Sequence, residues 1–151
     1  MAMNTAKIQV TEYNDREHRT QAAELWRKMF GYKAAHNNPE LVIDKKISVN
    51  DGLFFVAVGG QEVLGTVMAG YDGHRGWIYA LAVLPSHQKR EIGSALLTHA
   101  EEKLSELGCM KINLQIVNSN DSVKKFYSVK GYFIENLISM SKILPANIRK
   151  P

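Results

Sequence analysis

The chain has 151 residues, 45% of them hydrophobic and 23% charged with only 4 Pro, which fits a single globular domain with a core and excludes a disordered chain. The net charge of +4, from 19 Lys and Arg against 15 Asp and Glu, is compatible with an anionic ligand; no base-reading motif or basic stripe with interleaved aromatics is present, so nucleic acid is not expected as a partner. One cysteine, Cys109, excludes an internal disulfide framework, and no apolar run has the length of a membrane span or the pattern of a signal peptide, so a cytoplasmic protein that binds no membrane is expected.

Lys7 to Tyr13 alternates apolar and polar residues and predicts a first strand. Asn14 with Glu17 forms a capping-box arrangement, and Ala22, Leu25, Trp26, Met29 and Phe30 make a helical stripe that stops at Gly31. A loop from Tyr32 to Asn37 leads to Asn38-Pro39, a second helix start, reaching about Val49. Leu53 to Val58, a Gly59-Gly60 turn and Val63 to Tyr71 read as a hairpin, and Asp72 to Gly76 turns the chain into Trp77 to Leu84, an unbroken apolar strand ended by Pro85. Connections this short require an antiparallel meander.

Beyond Pro85, the segment Pro85 to Ala95 is basic and opens a helix whose stripe is Ile92, Leu96, Ala100, Leu104 and Leu107, with Gly108 as its stop. Free N–H groups and the helix dipole suit such a turn to a phosphate. Cys109, between a helix stop and a strand, is expected to be a buried, inert thiol. Lys111 to Val117 predicts a strand able to pair in parallel after the helical crossover. Asn120 opens a last helix to about Lys130, and Tyr132 to Glu135 with Ser139 to Ile143 read as a terminal strand pair, before a flexible tail at 146–151. The expected fold is α/β, a mixed central sheet in the order β-α-α-β-β-β-α-β-α-β-β with helices on both faces, as one domain over 1–151.

Leu81-Ala82-Val83-x-Pro85, then Gln88-x-x-Glu91-x-Gly93, then Asn120 to Tyr132 with Phe126-Tyr127 and Gly131-Tyr132, together resemble the GNAT superfamily of acyl-CoA-dependent N-acyltransferases. The stretch Gly65 to Gly76 is similar to that of the small bacterial YpeA-type acetyltransferases. Glu91 stands where the family motif has its first glycine, and Val123 where alanine is usual. The resemblance implies acetyl-CoA as co-substrate, without a metal, in a cleft between the strand ending at Val83 and the one starting at Lys111. Its pyrophosphate would meet the backbone N–H groups of Gln88, Lys89, Arg90, Glu91, Ile92, Gly93 and Ser94. Leu81, Ala82 and Val83 would line the pantetheine arm, and Asn120 would reach it from the last helix.

In the implied chemistry a primary amine attacks the thioester directly. Backbone N–H groups near Leu81 would stabilise the oxyanion, and Tyr127 would act as acid toward the departing sulfur. No carboxylate stands in the strand before Leu81, where Tyr79 and Ala80 lie, so the proton leaves through a water chain or with help from Tyr79, Asp72 or His74; Tyr32 is a further acceptor-side candidate. The histidines offer no metal-ligand spacing. A small-molecule or protein amine is the expected acceptor and a homodimer the expected assembly; a non-catalytic acyl-CoA sensor on the same fold is the rival reading. As a first-turn carboxylate, Glu91 is expected to stabilise the helix by about 0.3–1 kcal/mol and to repel phosphate.

Overall fold

The Asn14 side chain accepts a hydrogen bond from the Glu17 backbone N–H at 3.1 Å, which starts a helix where the sequence signature requires one. In the computed structural model, which describes residues 7–31, 34–88 and 91–145, this helix is α1, Asp15–Phe30, and it follows strand β1, Ile8–Glu12. The chain falls into two compact units, Met1–Gln115 and Ile116–Pro151.

In the first unit Asn38 caps α2, Pro39–Val49, by accepting from the N–H groups of Glu40 and Leu41, with Pro39 at a position that needs no N–H donor. Strands β2 (Phe54–Gly59), β3 (Glu62–Tyr71) and β4 (Gly76–Val83), helix α3 (Ile92–Glu106) and strand β5 (Ile112–Asn113) follow. The sheet order is β1-β2-β3-β4-β5; the first four strands are antiparallel and β5 joins β4 in parallel. Strand alternation sends Phe54, Val56 and Met68 into a core with Ala22, Leu25, Trp26 and Ile43 of α1 and α2. Phe55 points to the other face, where its ring meets His99 of α3 edge-on at 4.6 Å. The expected mixed sheet with helices on both faces is therefore observed.

The buried stripe of α3 is Ile92, Leu96, Leu97, Ala100 and Leu104. Leu107, expected in it, is 53% exposed because the helix has ended at Glu106. The hairpin turn is Gly60-Gln61 rather than Gly59-Gly60: Gly59 still pairs with Glu62, and Gly60 takes φ +62°, which a glycine adopts without strain. Strand β5 is much shorter than the expected Lys111 to Val117, since only Gly76 and Trp77 of β4 offer it a parallel partner. Cys109 is half-buried rather than fully buried, and its Sγ donates to the Lys111 carbonyl at 3.3 Å.

The second unit holds α4, Asp121–Val129, capped by Asn120, whose side chain accepts from the Val123 N–H at 3.2 Å. The expected strands Tyr132 to Glu135 and Ser139 to Ile143 are not formed, although their composition is that of strands. A strand exists only as part of a ladder, and apolar β-branched residues supply propensity without supplying the ladder. The tail at 146–151 lies outside the described residues. Among the described residues no helix is long and apolar enough to cross a membrane, and no group of three or more His, Cys, Asp or Glu stands together as a metal site.

Candidate active site

Strand β4 contains a bulge. Met68 of β3 pairs with Tyr79, and the next rung joins Thr66 to Ala82, so Ala80 and Leu81 together face Val67. Ala80 takes φ +48°, a conformation that costs a residue with a Cβ about 1–2 kcal/mol. Two hydrogen bonds, the second of them buried, hold it there: the Thr66 hydroxyl donates to the Ala80 carbonyl at 2.8 Å, and Trp26 Nε1–H donates to Thr66 Oγ1 at 2.8 Å. Beyond the bulge the Leu84 N–H turns toward β3 and donates to the Leu64 carbonyl at 2.8 Å. N–H groups alternate sides along a strand, so those of Val83 and Leu81 face the opposite edge. Along that edge β5 pairs only with Gly76 and Trp77, and among the described residues of the first unit no other strand pairs with the rest.

The chain leaves this edge through a short 3-10 turn at Pro85–His87, and the Gln88 side chain ties the turn back by donating to the Val83 carbonyl at 3.1 Å. Lys89 and Arg90 lie outside the described residues. Glu91 caps α3 in the left-handed conformation, φ +59°, with no side-chain capping bond, and the first helical bond runs from the Ala95 N–H to the Glu91 carbonyl at 3.0 Å. The N–H groups of Ile92, Gly93 and Ser94 therefore precede the helical ladder and are the ones able to meet an anion. Ile92 is buried and anchors this first turn, while Gly93 and Ser94 are half-buried.

A groove of about 410 Å³ opens on another flank of α3, lined by Val10, Glu91, Ser94, Ala95, Thr98, His99 and Glu102. It faces β1, at the opposite sheet edge from β5, and its two carboxylates suit it poorly to a phosphate chain.

The structure resolves the acceptor-side candidates differently. Tyr79 is half-exposed, and burial, with the fields of Asp51 and Asp72, raises its phenol above the ordinary range, which keeps it protonated at neutral pH. Asp72 is a turn residue: its Oδ1 accepts from the Arg75 N–H at 2.7 Å and the His74 N–H at 2.8 Å, which hold its carboxyl below the usual range and make it a weak base. His74 is exposed in the same turn, and Tyr32 lies outside the described residues. Sequence reading missed Asp51, whose charge acts on Tyr79 while it pairs with Lys46 Nζ at 2.8 Å; its only local signal was an Asp-Gly turn. It also missed Thr66 and Trp26.

In the second unit, Tyr127 is buried, with its ring edge-on to Phe126 at 5.1 Å and to Tyr132 at 5.4 Å. Burial pushes its phenol up to about 12. The Tyr132 N–H donates to the Tyr127 carbonyl at 3.0 Å across a turn in which Gly131 has φ +94°. Asn120 Oδ1 is engaged by the Val123 N–H and the Ser122 hydroxyl, so its role as a helix cap is direct.

A profile of the acetyltransferase (GNAT) family matches residues 13–132. The chain belongs to the GNAT acetyltransferase family. Membership makes it an acyl-CoA N-acyltransferase. Its fold is similar to that of the aminoglycoside N-acetyltransferase AAC(6')-Iy in complex with CoA, with a TM-score of 0.76 at 17% identity over 94% of this chain and 99% of that one. It is also similar to the PaiA N-acetyltransferase of Thermoplasma acidophilum in complex with coenzyme A, TM-score 0.72 at 18% identity over 87% and 93%. The glucosamine-6-phosphate N-acetyltransferase of Arabidopsis thaliana gives a TM-score of 0.70 at 17% identity over 92% and 99%. At these identities the likeness is one of fold.

For this GNAT chain the left-handed backbone of Glu91 supplies a reason for the glycine in the family motif, and its strain offsets the stabilisation expected from the charge. Replacing Glu91 with glycine removes about 0.3–1 kcal/mol of dipole stabilisation and about 0.5–1 kcal/mol of chain rigidity, and it relieves about 1–2 kcal/mol of backbone strain. Glu91→Gly is thus expected to change stability by no more than about 1 kcal/mol in either direction in urea unfolding, where the charge alone predicted a loss. A loss of stability well beyond about 1 kcal/mol would contradict that assignment.

Proposed function

We propose that the protein transfers the acetyl group of acetyl-CoA to a primary amine within a ternary complex, across both units as one acyltransferase domain. The observation that carries this reading is the stretch of the β4 edge that no described strand of the first unit pairs, with the Leu81 and Val83 N–H groups, followed in the chain by the α3 N-terminus. The pantetheine arm lies along Leu81, Ala82 and Val83, and the pyrophosphate meets the N–H groups of Ile92, Gly93 and Ser94. Lys89 and Arg90 add charge, Gln88 holds the turn, and Asn120 is assigned to the same ligand by its place in the family motif. The family match across residues 13–132, and solved structures of similar fold that hold CoA or a CoA analogue, support acetyl-CoA as donor.

The amine lone pair attacks the thioester carbon, a C–N bond forms, and the carbonyl oxygen takes charge opposite the Leu81 N–H. The C–S bond then breaks with its electron pair on sulfur, where Tyr127, assigned by its place in the Phe126-Tyr127 motif, donates a hydrogen bond. The nitrogen proton leaves through water, because Tyr79 stays protonated and Asp72 is held as a turn cap. Similar folds that act on an aminoglycoside and on glucosamine 6-phosphate support a small-molecule amine as acceptor, with Tyr79 beside it. The Gly65 to Gly76 stretch supports the narrower YpeA-type grouping, and the single cysteine supports a cytoplasmic location.

Thiol release from acetyl-CoA with a panel of primary amines tests the reading: turnover with at least one amine is expected, and saturable CoA binding without turnover on any of them identifies a sensor instead. Self-association belongs to the same proposal, supported by the exposed side chains of Phe133, Ile134, Ile138 and Met140. Sedimentation at micromolar concentration is expected to show twice the 17.0 kDa chain mass, and a lone 17.0 kDa species rejects it.

A further inference from the structure

Thr66 and His18 are the buried polar side chains among the described residues, and Thr66 is wholly buried in an otherwise apolar stretch of β3. Packing alone does not call for its hydroxyl, since valine has the same branched shape. The hydroxyl is nevertheless fully used, accepting from Trp26 Nε1–H and donating to the Ala80 carbonyl, each at 2.8 Å. That carbonyl belongs to one of the two bulge residues that face a single residue of β3, so the Thr66 hydroxyl fills the place of a ladder donor.

The Ala80 carbonyl and the Leu81 N–H are two ends of one planar trans peptide unit and point in opposite directions. Anchoring the carbonyl to Thr66 therefore aims the Leu81 N–H away from β3, toward the uncovered edge of β4. The same direction follows independently from strand alternation counted back from the Leu84 N–H bond. We propose that Thr66, steadied by Trp26, is a positioning residue for the oxyanion: it touches no substrate but fixes the direction of the N–H that does. The proposal rests on the acetyl-transfer reading and adds the element that keeps the donor rigid before the reaction, when any reorientation would weaken its effect on developing charge.

Thr66→Val keeps the shape and removes the hydroxyl, whereas Thr66→Ser keeps the hydroxyl. With an amine that the wild type acetylates, Thr66→Val is expected to lower kcat by about ten- to a hundredfold, less than complete loss of an oxyanion donor, with KM for acetyl-CoA within about threefold. Thr66→Ser is expected to restore kcat to within about threefold of the wild type. In amide-resolved NMR of the free proteins the Leu81 resonance is expected to move in Thr66→Val and to return in Thr66→Ser. Equal kcat in the Val and Ser variants, or an unmoved Leu81 amide in Thr66→Val, overturns the proposal. If Thr66→Val does not fold, Trp26→Phe, which withdraws the indole N–H, is expected to shift the same amide and lower kcat by a smaller factor, and no change in either overturns it. A wild type that acetylates no amine defeats the underlying reading, while the amide comparison decides separately whether Thr66 orients Leu81.

Discussion

Tyr127→Phe is expected to leave acetyl-CoA binding within about threefold and to lower turnover by about ten- to a thousandfold. The ring packs edge-on against Phe126 and Tyr132, and phenylalanine preserves both contacts, so the loss should fall on chemistry and not on stability. With its phenol at about 12, Tyr127 is protonated at every practical pH and always has a hydrogen to donate. The same value limits how it works: a thiolate of ordinary pKa, about 8.5, takes a proton from such a phenol only uphill. The contribution is therefore the hydrogen bond to sulfur while the C–S bond stretches, worth the lower and middle part of the range for a general acid. Since its ionisation lies near 12, Tyr127 adds no descending limb to the pH–rate profile below about pH 11, and wild type and variant should run parallel there. An unchanged turnover number, measured where the chemical step limits the rate, removes Tyr127 from the mechanism.

Gly65→Ala is expected to destabilise the protein by about 1–3 kcal/mol, the cost of overpacking a filled core. A Cβ on Gly65 would lie 2.8 Å from the Ala82 carbonyl oxygen, which is backbone, and 2.9 Å from Leu96 Cδ1, with Ile92 Cγ2 at 3.4 Å. Helix α3 can sit this close to the sheet only over a glycine, and Ile92 opens the helix whose N-terminus is the proposed anion site. The strain should therefore reach function, weakening CoA binding by about tenfold, or 1.4 kcal/mol. Gly59→Ala is the control: its Cβ would meet Leu64 Cδ1 at 3.0 Å, the far end of a side chain that can rotate away, and a change within about 0.5 kcal/mol is expected. Urea unfolding of both variants checks the contrast, and equal midpoints would show that α3 is free to shift.

Features that depend on near neighbours in sequence were legible. Asn14, Asn38 and Asn120 each cap a helix as their spacing predicts, because a short polar side chain reaches the N–H groups two or three residues on. The hairpins and the α3 stripe follow from turn residues and periodicity in the same way. Strand existence was less legible: Lys111 to Val117 shrank to Ile112–Asn113, and the segments after Gly131 formed no strand, because a ladder needs a distant partner that composition does not name. At Glu91 the sequence revealed the charge and its mismatch with the motif but not the left-handed backbone, whose strain offsets the charge term. Thr66, Trp26 and Ala80 meet across 40 and 14 residues, and a threonine within an apolar strand was the only trace of that network.

The central claim is that acyl-CoA is held by the β4 edge and the α3 N-terminus, and titration of the amide-resolved NMR spectrum with CoA tests it most directly. Saturable changes that are largest at the N–H groups of Leu81, Val83, Gly93 and Ser94 are expected. Changes centred instead on Val10, Thr98 and Glu102, in the groove facing β1, would contradict it.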